Sequence, residues 1–296
     1  MRKTIILTLA FMLVVGLSLG TAAQDIKIGL AVSTLNNPFF VDLKDGAEAM
    51  AAEMGIEILT VDAQDDAASQ LSSVEDLLIK QIDVLIVNPV DGDAVVSAIS
   101  SANNAGVPVI TVDRAAEGGK VASHIASDNV AGGKMAGDFI AEQLGEKAKV
   151  VELQGIPGTS AARDRGNGFN ISIDSYPEME VIARQPAAFD RAEGMTVMEN
   201  ILQGNSKIDA VFAHNDNMAL GAMEAISAAG RSDEIMIVGF DAIDDAREAV
   251  KEGELAATVA QKPGLMGEMA VKKAIEVANG KEVEEYTPVP LELITE

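Results

Sequence analysis

The sequence predicts an α/β fold of two similar lobes, each a parallel β-sheet flanked by helices. Short apolar segments typical of strands alternate with helical segments after residue 24, a pattern of parallel sheets covered by helices on both faces. Gly55, Gly106 and Gly230 stand where three helices should end, since glycine readily adopts the left-handed conformation found there. Two strand sequences also recur in the second half of the chain, which predicts the second lobe.

The strands are predicted in chain order from apolar segments bounded by turn residues. They cover residues 26–32, 56–61, 83–87, 107–112, 121–126, 148–153, 179–184, 209–213, 235–240 and 256–260. Helical periodicity is clearest over residues 41–54, 67–80, 94–104 and 218–229. The first helix is expected to begin at Pro38 with Asn37 as its N-cap. Proline suits the first helical position, and an asparagine side chain accepts from the free N–H groups of the first turn.

The internal repeat consists of two pairs of segments. Asp83-Val-Leu-Ile-Val-Asn88 resembles Asp209-Ala-Val-Phe-Ala-His-Asn215, and each precedes a helix. Val107-Pro-Val-Ile-Thr-Val-Asp113 resembles Ile235-Met-Ile-Val-Gly-Phe-Asp241, and each follows a helix that ends in glycine. Strands of parallel sheets look alike, so one pair alone would carry little weight. Because both pairs occur in the same order, two related lobes are favoured.

The first 23 residues are predicted to be a signal peptide rather than part of the fold. Arg2 and Lys3 precede an apolar segment over residues 5–19, and Thr21-Ala-Ala23 supplies small residues for cleavage before Gln24. The apolar segment is short for a bilayer span, although a membrane anchor stays an alternative. We therefore expect an exported, soluble protein of the periplasm.

The composition excludes several classes of protein. The 296-residue chain has no Cys, which excludes disulfides, thiolate metal sites and a lipid-modified cysteine. Its 46 Asp and Glu against 22 Lys and Arg give a formal net charge of −24, which argues against nucleic acid and anionic membranes as partners. The acidic segments 62–66 and 91–93 lack the residue spacing of a calcium loop, so no bound metal is expected.

Polar and aromatic side chains collect where the predicted strands end, which is where open α/β sheets bind ligands. Carboxylates, amides and a guanidinium together suit sugar hydroxyls, because each hydroxyl both donates and accepts. Phe rings would cover the C–H faces of a sugar and exclude water. The residues selected on this ground are Ser33, Asn37, Phe39, Phe40, Asp113, Arg114, Asn215, Asp241 and Gln261.

Longer blocks of the sequence resemble the periplasmic sugar-binding proteins, above all those for ribose, which are related to the cores of LacI-type repressors. The similarity covers almost the whole chain after residue 24. The blocks that carry it are Val32-Ser-Thr-Leu-Asn-Asn-Pro-Phe-Phe40, Ser123-His-Ile-Ala-Ser-Asp-Asn129, Glu152-Leu-Gln-Gly155, Gly158-Thr-Ser-Ala-Ala-Arg-Asp-Arg165, Gln185-Pro-Ala-Ala-Phe-Asp-Arg191, Asn215-Asp-Asn-Met-Ala-Leu-Gly221 and Val238-Gly-Phe-Asp241.

This resemblance implies the type I fold of periplasmic binding proteins, with three hinge segments near residues 127–128, 261–262 and 287–291. The N-terminal lobe would comprise residues 25–127 and 262–290, and the C-terminal lobe residues 128–261 and 291–296. D-ribose would bind between the lobes, and the closed form would be recognised by the membrane permease of an ABC importer. A chemotaxis receptor is a further partner that the resemblance implies as an option. The protein is expected to be a monomer.

The resemblance also extends the set of predicted ligand contacts. It adds Arg165, expected on the helix after Gly158, and Phe189, expected at the start of a later helix. It assigns no catalytic residue and no cofactor. His214 departs from the family pattern, and a hydrogen-bonded structural imidazole is expected there.

Two unrelated functions are contradicted by the first strand and its surroundings. An NAD-dependent dehydrogenase needs a Gly-x-Gly-x-x-Gly turn after that strand, where this chain has Ser33-Thr-Leu-Asn-Asn-Pro38. A DNA-binding repressor needs a helix-turn-helix ahead of the strand, where this chain has the predicted export signal.

Two closer alternatives to ribose binding stay open. A sugar-active enzyme would use Asp113 and Asp241 as an acid/base pair. Arg114 and Arg165 are expected to keep both carboxylates ionised, whereas a general acid needs a raised pKa. The other alternative is a binding protein for a different monosaccharide, such as allose, xylose or a galactose-like sugar. The absence of Trp, which stacks on hexoses in related proteins, favours a pentose.

Overall fold

The computed structural model describes residues 26–295 and confirms the predicted α/β fold with two sheets. The signal peptide predicted over residues 1–23 lies outside the described residues. In chain order the elements are β1 (Lys27–Val32), α1 (Pro38–Met54), β2 (Glu57–Asp62), α2 (Ala67–Ile79), β3 (Val84–Val87), α3 (Val95–Asn104), β4 (Val109–Val112), β5 (Ser123–Ser127), α4 (Asn129–Gln143), β6 (Lys147–Gln154), α5 (Ser160–Ile173), β7 (Glu178–Pro186), α6 (Arg191–Gly204), β8 (Ala210–Ala213), α7 (Asp216–Ala228), β9 (Met236–Asp241), α8 (Asp244–Glu252), β10 (Ala257–Ala260), α9 (Pro263–Ala278), β11 (Tyr286–Val289) and β12 (Glu292–Ile294).

The two sheets have the same strand order. The first runs β11-β5-β4-β3-β1-β2 and is parallel throughout, and the second runs β12-β10-β9-β8-β6-β7 with only β12 antiparallel. We call the elements on the first sheet, including α9 and β11, the first lobe, and those on the second sheet the second lobe. The order makes β1 correspond to β6, β2 to β7, β3 to β8 and β4 to β9, so the sequence repeat reflects two similar lobes.

The chain passes between the two sheets three times, as the type I fold requires. It leaves β5 for α4, leaves β10 for α9, and leaves β11 for β12. Apolar side chains of α1 and α9 pack together on one face of the first sheet, and those of α4 and α5 pack on one face of the second. Within residues 26–295, no helix combines the length and the apolar character needed to cross a membrane.

The predicted helix ends are confirmed. Helix α1 begins at Pro38, and the Oδ1 atom of Asn37 accepts a hydrogen bond from the N–H of Phe39 at 3.1 Å. Gly55, Gly106 and Gly230 have φ angles of 68°, 77° and 68°, which is the left-handed conformation expected after a helix.

The structure departs from the sequence-based prediction at two places. Strand β11 was not predicted, because it is a short edge strand that contains a proline, which is tolerated only where no ladder N–H is needed. Phe189 precedes helix α6 instead of starting it. The Oδ1 atom of Asp190 accepts from the N–H of Glu193 at 2.9 Å, so Asp190 is the N-cap and the helix begins at Arg191.

Candidate functional site

Residues that follow the strands of both sheets line one small cavity between the lobes. Nine of the eleven predicted site residues line it, together with Ala161 of α5: Asn37, Phe39, Phe40, Asp113, Arg114, Arg165, Phe189, Asn215 and Asp241. The other two, Ser33 and Gln261, are buried just behind this lining. Gln261 reaches Asp241, while the N–H of Ser33 donates to Asn88, which in turn contacts Asp113.

The first lobe supplies the two adjacent aromatic rings. Because α1 begins directly after the β1 turn, Phe39 and Phe40 both lie in its first turn and are buried. Their ring centroids are 5.2 Å apart and the rings are nearly perpendicular, an edge-to-face arrangement that is favourable for aromatic pairs. One wall of the cavity is therefore apolar and rigid.

Asp113 follows β4 with a φ angle of 61°, so its backbone turns in the left-handed region immediately after the strand. Its Oδ2 atom accepts from the side-chain amide of Asn88 at 3.4 Å and lies 3.9 Å from Nε of Arg114. Its Oδ1 atom and Nε of Arg114 are both buried and have no hydrogen-bond partner among residues 26–295. An acceptor and a donor are thus left available to a ligand at the same place.

The guanidinium of Arg114 lies within reach of aromatic rings from both lobes. Its central carbon is 5.1 Å from the ring centroid of Phe40 and 5.5 Å from that of Phe189. Both distances are within cation–π range. One guanidinium nitrogen also donates to the carbonyl of Pro89 at 3.1 Å. Arg114 is therefore held in one orientation only when the two lobes are together.

Arg165 is the corresponding cation of the second lobe and lies on α5. Its Nε atom donates to Oδ1 of Asn129 at 2.8 Å, and a terminal nitrogen donates to the carbonyl of His214 at 2.6 Å. The same nitrogen lies 3.4 Å from Oδ1 of Asp241, and the guanidinium stacks over Phe240 at 3.9 Å. Nearly every degree of freedom of this side chain is fixed by the protein.

Asp241 ends β9 and faces Arg165. Its Oδ1 atom accepts from the side-chain amide of Gln261 at 2.8 Å, whereas Oε1 of that amide is buried and lacks a partner within the described residues. Burial raises the pKa of Asp241 to about 7, although the charge of Arg165 acts in the opposite direction.

The expectation from the sequence that neither carboxyl group has a raised pKa is therefore wrong. Burial also raises the pKa of Asp113 above its ordinary value, despite the nearby charges of Arg165 and Arg114. The two arginines attract both carboxylates, but removal of the carboxylates from water outweighs that attraction. Ionisation consequently gives no argument against an acid/base role for this pair.

Asn215 and Phe189 are held by each other and by the backbone. Asn215 caps α7, with Oδ1 accepting from the N–H of Met218 at 3.0 Å, and its amide donates to the carbonyl of Phe189 at 3.2 Å. Phe189 has a φ angle of 58°. Its ring packs directly on Gly155, where any Cβ atom would overlap the ring. The position of the Phe189 ring in the cavity wall thus depends on the glycine at position 155.

Two residues that support the site were missed by the sequence analysis. Asn88 holds Asp113, and Gln70 of α2 holds Asn88 in turn, with its amide donating to the Asn88 carbonyl at 2.9 Å. Gln70 could not be found from the sequence, because a buried glutamine on a helix has no local signal. Asn88 could have been found, since it follows β3 at the repeat position that His214 occupies after β8.

His214 is a structural imidazole, as the sequence analysis predicted. It is fully buried, and its Nδ1 atom accepts from the N–H of Gly155 at 3.3 Å. Its Nε2 atom therefore carries the proton and donates to Oε1 of Glu152 at 3.0 Å. Glu152 also forms an ion pair with Arg184. Both ring nitrogens are used by the protein, which leaves neither for a ligand.

The lobes touch each other beside the cavity, so this structure is the closed form. The N–H of Ala115 donates to the Ser160 hydroxyl at 2.8 Å, and Glu117 and Arg163 form an ion pair at 2.6 Å. In both cases the first residue belongs to the first lobe and the second to the second lobe. These contacts, together with those of Arg114 to rings of both lobes, exist only when the cleft is shut.

The fold and the cavity define a two-lobed binding protein for a small ligand with many hydroxyl groups. The family model described as "Periplasmic binding protein domain" matches residues 28–282, and the chain belongs to that family. It is 50% identical to the ribose import binding protein of Haemophilus influenzae over 296 residues, covering 100% of both chains. It is 51% identical to the ribose import binding protein of Bacillus subtilis over 273 residues, covering 92% of this chain and 88% of the relative.

A solved structure shows the same architecture. An ABC transporter solute-binding protein from Bacillus halodurans with bound myo-inositol is 35% identical and superposes with a TM-score of 0.87, covering 92% of this chain and 94% of that one. The family and these relatives are solute-binding proteins, and the type I fold predicted from the sequence is confirmed.

Proposed function

We propose that this chain captures D-ribose in the cleft between its lobes and delivers it to an ABC importer. The observation that carries the proposal is the pairing of Asp113 with Arg114 and of Asp241 with Arg165 inside a cavity walled by Phe rings. Each pair offers a carboxylate acceptor and a guanidinium donor side by side. A sugar hydroxyl can bond to both at once.

The size of the cavity limits the ligand to a single sugar unit. The closed lobes leave only a small space among the residues that line it. Phe40 and Phe189, from opposite lobes, would cover the C–H faces of the ring. Water is thereby excluded, which strengthens the polar contacts beside them.

Ribose is favoured by the relatives that match most of the chain. Two ribose import binding proteins share about half of its residues, whereas the structural neighbour with myo-inositol shares 35%. Allose, xylose and galactose-like sugars are the competing ligands. These sugars differ from ribose in the orientation of one or two hydroxyls, by an additional CH2OH group, or by both, so the identity of the sugar depends on the exact placement of the polar atoms.

Delivery would take place in the periplasm, where the closed form would dock on the membrane permease. We propose cleavage of the predicted signal peptide just before Gln24. N-terminal sequencing of protein released by osmotic shock tests this, because retention of Arg2 and Lys3 on a membrane-bound product would contradict it.

A chemotaxis receptor could recognise the same closed form, and no residue of this chain favours that partner specifically.

We also propose that no covalent chemistry occurs on the sugar. A glycosidase needs space for a leaving group beside its two carboxylates, and the closed lobes leave only a small cavity around them. Incubation with labelled ribose and with ribosides, followed by analysis of the products, tests this directly. Any converted sugar would favour the enzyme alternative.

Calorimetric titration with a panel of sugars tests the proposed function. The panel contains D-ribose, D-allose, D-xylose, D-galactose and myo-inositol, and ribose should bind most tightly. Asp241→Asn should weaken ribose binding by at least about tenfold, because a charge-assisted hydrogen bond is lost. Asp245→Asn is the matched control, since Asp245 is exposed on α8 and pairs only with Arg191 there. Tighter binding of another sugar would contradict ribose, and no binding of any sugar would contradict the whole proposal.

A further inference from the structure

The turn that follows β9 has an unusual backbone conformation. Asp241 has a φ angle of 110° and Ala242 one of 57°, and neither is a glycine. Side chains make both conformations unfavourable, by about 1–3 kcal/mol each, so the surrounding structure must hold them in place. Because this turn carries Asp241 into the cavity, whatever holds the turn also determines where that carboxylate lies.

Two buried side chains hold the turn. The N–H of Ile243 donates to Oδ2 of Asp216 at 2.9 Å, and the N–H of Ala242 donates to Oγ1 of Thr258 at 3.2 Å. The Thr258 hydroxyl in turn donates to Oδ1 of Asp216 at 2.7 Å. Asp216 and Thr258 are both fully buried. Consecutive N–H groups of the turn are thus bound by one connected pair of side chains.

Strand β9 leaves space for the Asp216–Thr258 pair. Gly239 lies beside Asp216, and a Cβ atom at Gly239 would overlap its Oδ1 atom. The first lobe has Thr111 at the place of Gly239 and His124 at the place of Thr258, and these two side chains bond to each other at 2.9 Å. The second lobe therefore uses a small residue to bring a carboxyl group beneath its ligand-facing turn.

We propose that Asp216 and Thr258 are positioning residues for Asp241. They hold the backbone of the 241–243 turn so that the Asp241 carboxylate meets both Arg165 and the ligand. Neither residue lines the cavity, and both act through the main chain. The consequence for sugar affinity rests on the proposed function, whereas the control of the turn does not.

Two variants of Thr258 distinguish the effect of its hydroxyl from the effect of its side-chain volume. Thr258→Val keeps the volume and removes the hydroxyl, and Thr258→Ser keeps the hydroxyl. We expect Thr258→Val to weaken ribose binding by about tenfold, because a buried N–H loses its partner, and we expect Thr258→Ser to retain most of the affinity. Ser172→Ala is the matched control. It removes another buried hydroxyl of the second lobe, which donates to Asp138 at 2.6 Å far from this turn, and it should leave ribose binding unchanged.

A double-mutant cycle distinguishes positioning from a general structural role. If Thr258 acts through Asp241, the loss caused by Thr258→Val should shrink markedly in an Asp241→Asn background. If Thr258 only stabilises the lobe, the same loss should appear in both backgrounds, and that result would overturn the proposal.

Amide hydrogen exchange measured by NMR without sugar tests the turn itself. The N–H of Ala242 should exchange at least about tenfold faster in Thr258→Val than in wild type, and Ser172→Ala should not change its exchange rate. Unchanged exchange in Thr258→Val would overturn the positioning role. If wild type binds none of the sugars, the proposed function fails, while the exchange measurement still decides whether Thr258 holds this turn.

Discussion

Asn88 and His214 make the same hydrogen bond in the two lobes. The Oδ1 atom of Asn88 accepts from the N–H of Ser33 at 3.2 Å, and Nδ1 of His214 accepts from the N–H of Gly155 at 3.3 Å. Each follows one of the two middle strands of its six-stranded sheet and fixes the turn after the neighbouring strand. The second hydrogen bond of the two side chains differs. The Asn88 amide donates to the ligand-facing Asp113, whereas the His214 ring donates to the buried Glu152.

His214 should therefore remain neutral below the pH at which a free histidine is protonated. Burial lowers its pKa more than the carboxylate of Glu152 raises it. The unfolded chain takes up the proton at its ordinary pKa of about 6.5, so this residue should destabilise the fold progressively as the pH falls below that value. Nitrogen chemical shifts followed by NMR check this, and a titration midpoint near 6.5 in the folded protein would contradict it.

Phe189→Ala should weaken ribose binding by roughly 2–4 kcal/mol, because ring contact is lost and water enters the cleft. Calorimetry measures the change in affinity. Thermal unfolding of the free protein should change as well, since Phe189 also packs against the core of the second lobe. Phe139→Ala is a control in the same lobe, on α4 and outside the cavity lining. A Phe189→Ala variant with unchanged affinity would show that this ring does not cover the sugar.

Closure without sugar should depend on pH through Asp241. Its pKa in the closed form is about 7, above the ordinary value of 3.8. A carboxyl whose pKa is raised on closing favours the closed form at low pH and opposes it as the pH rises through 7. Small-angle scattering should therefore show a more compact sugar-free protein at about pH 5 than at about pH 8. Asp241→Asn should remove much of this difference, and an equal response of both proteins would contradict the prediction.

The ion pair between Glu117 and Arg163 should contribute to affinity without touching the sugar. It joins the lobes only when the cleft is closed and is partly exposed, so its loss should cost about 0.2–1 kcal/mol of binding free energy. Glu117→Gln should accordingly bind ribose more weakly, and added salt should reduce the difference from wild type.

The pair of Lys147 with Glu178 provides the control for this prediction. It joins residues of the second lobe alone at 2.8 Å and is at least as exposed. Glu178→Gln should bind ribose like wild type in calorimetry. Equal affinity of Glu117→Gln and Glu178→Gln would show that the interlobe ion pair does not favour closure.

The strand ends could be predicted from the sequence because short apolar segments and glycine-terminated helices are local signals. Asp113, Asn215 and Asp241 were found in this way, since each directly follows such a segment. Arg165 and Phe189 follow no strand directly, so only the resemblance to a family suggested them. The support from Thr258 to Asp241 depends on contacts between distant parts of the chain, and no local pattern records it.

The raised pKa values of Asp113 and Asp241 could not be anticipated for a related reason. The sequence shows which charges are available to pair, and the arginines beside both carboxylates led to the expectation of ionised groups. Desolvation depends on how completely two lobes enclose the side chains. That enclosure is a property of the closed fold, and here it outweighs the attraction of the arginines.

The central claim is that one sugar is enclosed by both lobes. Asp113 and Arg114 belong to the first lobe and Arg165 and Asp241 to the second, so full contact requires closure. A ligand shifts the balance only by its preference for the closed form. Small-angle scattering with and without ribose tests this most directly. Wild type should become more compact on addition of ribose, and Arg165→Ala should need far more ribose for the same change. Identical scattering of wild type with and without saturating ribose would contradict the claim.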